Sequence, residues 1–136
     1  MCYNVLKKGS DWMAKVSIKS FLHTEESEKK IECDGILTKE KLTFYDGDTL
    51  TSIEKKKEKW ILKRKNKEYE IEIPLILNQK TKGSYHFFHF HKKLDLQIDT
   101  NMLEWGSLGI QIKYQLKIEN ENLGLFHYHI EFEVKK

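Results

Sequence analysis

Residues 68–77 read Glu68-Tyr69-Glu70-Ile71-Glu72-Ile73-Pro74-Leu75-Ile76-Leu77, and this stretch decides the fold. Tyr69, Ile71, Ile73, Leu75 and Leu77 fall on every second position, with Glu68, Glu70 and Glu72 between them. Successive side chains of a strand point to opposite faces, so the pattern predicts one apolar and one wet face. A helix would scatter the glutamates around its circumference. Pro74 cannot donate to a ladder, which places a bulge or an edge near it.

The same reading extends upstream. Trp60, Leu62 and Arg64 alternate with Ile61, Lys63 and Lys65, and Asn66-Lys67 forms the turn of a hairpin. In that hairpin Lys63 and Lys65 lie across from the glutamates, in pairs worth roughly 0.2–1 kcal/mol each. Farther back, Val16 and Ile18 form one same-side set, Ile31, Cys33, Gly35 and Leu37 a second, and Leu42 with Phe44 a third. A turn follows at Asp46-Gly47-Asp48, then a strand near 49–54 and the Lys55–Lys59 run, read as a solvated hairpin loop. Residues 24–30 carry too many charges for a helix and read as another hairpin loop.

Downstream, His86, Phe88 and Phe90 read as one face of a strand, with Phe87, His89 and His91 on the other. Leu94, Leu96 and Ile98 follow. Ile110 to Ile118 alternate with Gln111, Lys113, Gln115 and Lys117, and Phe126, Tyr128, Ile130, Phe132 and Val134 close the chain after a turn at 119–122. Eight to ten strands with short connections leave a two-sheet sandwich or a closed meander. The expectation is an all-β fold, a single antiparallel up-and-down β-barrel over residues 15–136. Residues 1–14 read as a flexible N-terminal extension, with Met13-Ala14-Lys15 as an alternative start.

Composition narrows the function classes. The 136 residues suit one domain, and 12% aromatics supply large side chains for a core. The net charge of +3 is the small difference between 24 basic and 21 acidic residues, and Arg64 is the only arginine. A nucleic-acid footprint would be one-sided and arginine-bearing, so nucleic acid is not an expected partner. No apolar run approaches a membrane span or a signal peptide, so no membrane partner is expected either. Cys2 and Cys33 make neither a disulfide framework nor a zinc spacing, which points to a reducing cytoplasm.

The strand patterns Trp60–Arg64, then Leu94-x-Leu96-x-Ile98-x-Thr100-x-x-Leu103, then Ile110–Leu116 and the closing strand from Leu123-Gly124 resemble the YwiB-like family. The resemblance covers roughly residues 15–136. It implies a small bacterial barrel of calycin (lipocalin-like) type, a family without an established function. Asn66 stands where the family pattern has a glycine, and Lys92-Lys93 where it has a glycine-containing turn. The resemblance carries over no catalytic residue.

Chemistry-bearing constellations are few. His89-x-His91 and His127-x-His129 each aim two imidazoles at one face, but a meander puts strand 110–118 between them, so no metal site is expected. Asp46, Asp48, Asp95, Asp99 and Glu104 are scattered, with no acid–base pair, no nucleophile elbow and no phosphate loop. No catalytic residue and no cofactor is assigned. Arg64 is different, because its parity places it inside. There it is either a clamp for a ligand carboxylate or a plug stacked on Trp60, with all its donors paired. Rings with polar tips share that inner face. The expected ligand-binding set is therefore Arg64, Trp60, Tyr69, His86, Tyr114 and Tyr128, lining a cavity of up to a few hundred Å³ for a small apolar or amphipathic molecule. A filled barrel used as a structural or protein-interaction module, and a barrel enzyme, are the alternatives.

Overall fold

The structure, a computed structural model, describes residues 5–8 and 11–135. Eleven strands run in chain order: β1 (Val5–Lys8), β2 (Asp11–His23), β3 (Glu28–Thr38), β4 (Lys41–Asp46), β5 (Thr49–Lys55), β6 (Trp60–Lys65), β7 (Tyr69–Leu75), β8 (Lys80–Phe87), β9 (Lys92–Trp105), β10 (Gly109–Ile118) and β11 (Glu121–Val134). From β2 to β11 each strand pairs antiparallel with the next, and β11 returns to pair with β2 from His127↔His23 to Val134↔Val16. Ten strands therefore close into an up-and-down barrel, as the alternation predicts. Closure removes every free edge among them. Among the described residues the only helical turn is a 3-10 segment at Phe88–Phe90, and no helix is long and apolar enough to cross a membrane.

The expected domain boundary at residue 15 falls inside β2. Ala14 pairs with Leu37 and is buried with the core, while β1 forms a short hairpin on Asp11–Ala14. The alanine belongs to the same inward set as Val16 and Ile18, so the inward face of β2 begins at least one member earlier than the expected boundary. The remaining residues of the predicted extension lie outside the described ones.

Turn chemistry accounts for several connections. Asn66 needs no positive φ, because its side-chain oxygen accepts the backbone N–H groups of Glu68 and Tyr69 at 2.8 and 3.0 Å. This Asx-type cap replaces the glycine usual in a tight hairpin. Thr24 does the same for the β2–β3 turn, its hydroxyl accepting from Ser27 N at 3.1 Å; the connection read over 24–30 is a hairpin, but its loop is shorter, because β3 begins at Glu28. At the β10–β11 turn Glu119 and Asn120 both take positive φ, 49° and 73°, the geometry of a two-residue turn matched to strand twist.

Pro74 does sit at an interruption. The β7–β8 ladder ends at Glu72↔Ser84, and beyond it the Thr81 hydroxyl donates to the Pro74 carbonyl. The chain then makes a parallel bridge between Leu77 and Thr100. At this corner Gly83 lies against β7 so closely that a Cβ would strike the Glu72 carbonyl and meet Ile98 and Pro74. Gly83→Ala is accordingly expected to cost about 1–3 kcal/mol by overpacking against backbone. An unchanged urea midpoint would show that β7 and β8 can separate freely.

The core is the sum of the inward sets. Val16, Leu42, Ile53, Leu75, Ile98, Ile112 and Ile130 are fully buried. The lower end, where β5 turns into β6, is closed by Trp60 edge-on to Trp105, with ring centroids 5.6 Å apart and the Lys55 ammonium over Trp105.

Candidate functional site at the upper end of the barrel

At the upper end, where β4 turns into β5 and β6 into β7, the inward positions become polar. Arg64 on β6 continues the face of Leu62, Asp46 on β4 continues that of Leu42 and Phe44, and Lys29 on β3 continues that of Ile31 and Cys33. The three meet. Asp46 Oδ2 accepts from Arg64 Nη2 at 2.9 Å and from Lys29 Nζ at 3.0 Å. The Arg64 and Asp46 side chains are only 21% and 16% exposed, so this pair is screened far less than a surface one.

The arrangement leaves donors over. Arg64 Nε and Thr51 Oγ1 are buried and have no hydrogen-bond partner in the protein. Two cations face one carboxylate, and the guanidinium also faces the hydroxyls of Tyr128 and Tyr69. Ser20, Thr51, Phe44, Tyr128 and the three charged residues enclose a void of about 20 Å³. That is enough for one water molecule. Hollows of 490, 660 and 690 Å³ open instead on the outer surface of the barrel.

Beside the charged cluster runs a ladder of rings. Tyr69 stacks on Tyr85 at 5.6 Å, Tyr85 on Phe87 at 6.3 Å and Phe87 on Phe90 at 5.3 Å. The first three are half-buried, and Phe90 stands 75% exposed at the rim. Cross-strand pairing of Tyr69 with Phe87 and of Ile71 with Tyr85 fixes the ladder to the inner face.

The six expected site residues divide. Arg64, Tyr69, Tyr114 and Tyr128 come together at the upper end, Tyr114 and Tyr128 fully inside. Burial raises the phenol pKa of both tyrosines, that of Tyr114 far above its ordinary value, while the Arg64 charge pulls each the other way. Trp60 does not join them. Four residues along a strand are roughly 13 Å, so Trp60 lies near the opposite end and cannot stack on Arg64. The expectation that every Arg64 donor is paired also fails at Nε.

His86 faces outward. It pairs with Glu70 and Lys93 and lies edge-on to Phe88. The strand read through 86–91 stops at Phe87, and the chain turns through Phe88–Phe90 to His91, which has φ 48°. Alternation counted across that turn inverted the parity. Tyr85 and Phe87 are the inward pair, and His89 and His91 sit on a turn, with β9 and β10 between them and His127 and His129 on β11.

Asp46, Lys29, Tyr85 and Phe87 were not among the expected site residues. Each was accessible through parity with its apolar neighbours. Asp46 also reads as a turn residue beside Gly47, and Lys29 falls within the charged stretch 24–30. Cys33 is a free, half-buried thiol whose pKa is raised by burial first and then by Asp46 and Asp34, which makes it a poor nucleophile.

Comparison with known proteins supports the architecture. No protein-family model matches the sequence, and no curated protein does. The fold is similar to the crystal structure of the ywiB protein from Bacillus subtilis, with a TM-score of 0.64 over 98% of this chain and 96% of that one, at 12% identity. The likeness is one of fold.

Proposed function

We propose that this chain is a calycin-type (lipocalin-like) barrel of the cytoplasm that binds a small aromatic molecule bearing an anionic group at its upper mouth. The observation that carries this reading is the buried, unpartnered Nε of Arg64, in a cluster of two cations and one carboxylate. An unpaired buried donor costs about 1–3 kcal/mol, and a carboxylate or phosphate oxygen is the acceptor a guanidinium takes best. The ladder from Tyr69 to Phe90 gives an aromatic ring a stacking wall beside that anchor. Because the interior void is about 20 Å³, only the anionic head reaches Arg64 and the ring lies at the rim.

The test is calorimetry with benzoate, an indole carboxylate and a medium-chain fatty acid, on the wild type and on Arg64→Gln and Phe90→Ala. Saturable binding of an aromatic acid, weakened at least tenfold by either change, supports the reading. No heat with any probe at millimolar concentration overturns it. The second reading is a filled barrel serving as a protein-interaction module, which the small void favours. It gains if the probes fail and the protein proves to be a stable component of a complex.

A further inference from the structure

The seam that closes the barrel carries a row of chemistry that neither strand shows alone. Four residues lie abreast on the outer face: Glu28 on β3, His23 on β2, His127 on β11 and Lys113 on β10, each paired with the next through its Cα register. The central two are imidazoles on adjacent strands, with ring centroids 5.9 Å apart and planes tilted by 33°. Each has an acceptor near one nitrogen, and only that of His127 is within hydrogen-bond distance. His23 Nδ1 faces Glu28 Oε2 at 3.7 Å, and His127 Nε2 is 3.3 Å from Gln111 Oε1.

An acceptor beside one nitrogen favours the tautomer that carries its proton there, which leaves the lone pair on the other nitrogen. That is the pattern of metal-binding histidines, whose second nitrogen bonds a carboxylate or carbonyl oxygen. Geometry agrees. Two imidazoles on one tetrahedral ion, each at a metal–nitrogen distance of about 2.0–2.1 Å, have ring centroids about 5 Å apart. Closing the pair by under about 1 Å meets that requirement, and side-chain rotation within a rotamer well supplies it. His129 is held apart, edge-on to Phe21 at 5.9 Å. Among the described residues no group of three ligating side chains stands together, so two imidazoles are what this site offers and solvent fills the other positions.

We propose that His23 and His127 form a two-imidazole site for a late first-row divalent cation (zinc, nickel or copper), bridging β2 and β11 where the barrel closes. Bound there, the ion links the first and last strands of the closed ring. Lys113, at the end of the row, opposes the charge and sets a weak affinity.

Zinc titration by calorimetry on the full chain, in a non-coordinating buffer at neutral pH, tests this. One equivalent is expected to bind and to raise the melting temperature. His23→Gln and His127→Gln should each weaken binding at least tenfold, while His129→Gln and the pair His89→Gln with His91→Gln leave it unchanged. Melting curves without zinc verify that the variants fold. No saturable binding up to millimolar zinc overturns the proposal. So does binding that survives both seam variants, or that is lost with His89 and His91 instead.

Discussion

Arg64→Ala is expected to lower the free energy of unfolding by about 2–4 kcal/mol, the range for truncating one partner of a largely buried charge-assisted pair. Arg64 lies across from Ile71 on β7 and its guanidinium faces Tyr128 and Tyr69 as well as bonding Asp46, so volume and charge are lost together. Lys29 remains to face Asp46, and its exposed ammonium limits the damage to the carboxylate. Asp46→Ala removes the one anion that both cations share and is expected to cost at least as much. Losing Asp46 after Arg64 should then cost much less, because the two residues act on one contact. The surface pair Lys135–Asp34, with Asp34 68% exposed, supplies the contrast: Asp34→Ala should stay within about 0.5 kcal/mol. Urea unfolding of these variants decides. A cost for Arg64→Ala as small as that for Asp34→Ala would mean that the inner pair is solvated like the outer one.

The barrel is legible because period-two alternation survives in nearly every strand. Val16 to Ser20, Tyr69 to Leu75 and Phe126 to Val134 each keep strict parity, and each delivers its apolar set to the inside. Closure is legible only indirectly. Nothing in β2 or β11 alone announces that they pair, and what forces it is that an open ten-stranded sheet would leave two edges and an uncovered apolar face. The reading failed where parity was carried through a turn. At 86–91 three phenylalanines and three histidines imitate alternation, yet Phe88 begins a 3-10 turn and His91 takes a left-handed conformation. Aromatic residues suit both a half-buried strand and a rim, so composition there could not mark the boundary.

The candidate site was half legible for a related reason. Arg64, Tyr69, Tyr114 and Tyr128 follow from parity alone. Whether they meet depends on register between strands far apart in sequence, which no local pattern encodes. Asp46 is the instructive miss. Next to Gly47 it reads as a turn residue, and it is one, but it also ends the inward face of β4 and bridges Lys29 and Arg64, 17 and 18 residues away. The 20 Å³ void likewise depends on how side chains of six strands interdigitate, a property of volumes in three dimensions.

Above pH 10 the protein should lose stability steeply, and the two buried phenols are the reason. Tyr114, stacked on Phe126 with centroids 5.5 Å apart, and Tyr128 beside Arg64 are both raised above the ordinary value of 10.0, chiefly by burial. In the unfolded chain both titrate near 10. Above that pH the unfolded state has released protons that the native state still holds, so unfolding is favoured as pH rises. Below it both states hold them, and these groups contribute no pH dependence. Each tyrosine then removes about 1.4 kcal/mol per pH unit until its own native pKa is reached. The two together amount to roughly 2.7 kcal/mol per unit while both remain protonated in the native state. Arg64 opposes the rise in both, but Tyr114 is shifted farther, so the Tyr128 contribution ends first. Lysine titration in the same range is common to every variant and cancels in the comparison. Urea midpoints between pH 9 and 11.5 for the wild type, Tyr114→Phe, Tyr128→Phe and the double variant separate these contributions. The wild type should fall most steeply, each single variant less so, and the double variant least. Parallel curves for all four would mean that the native barrel lets the phenols ionise in place, with water and Arg64 together meeting the charge that burial should exclude.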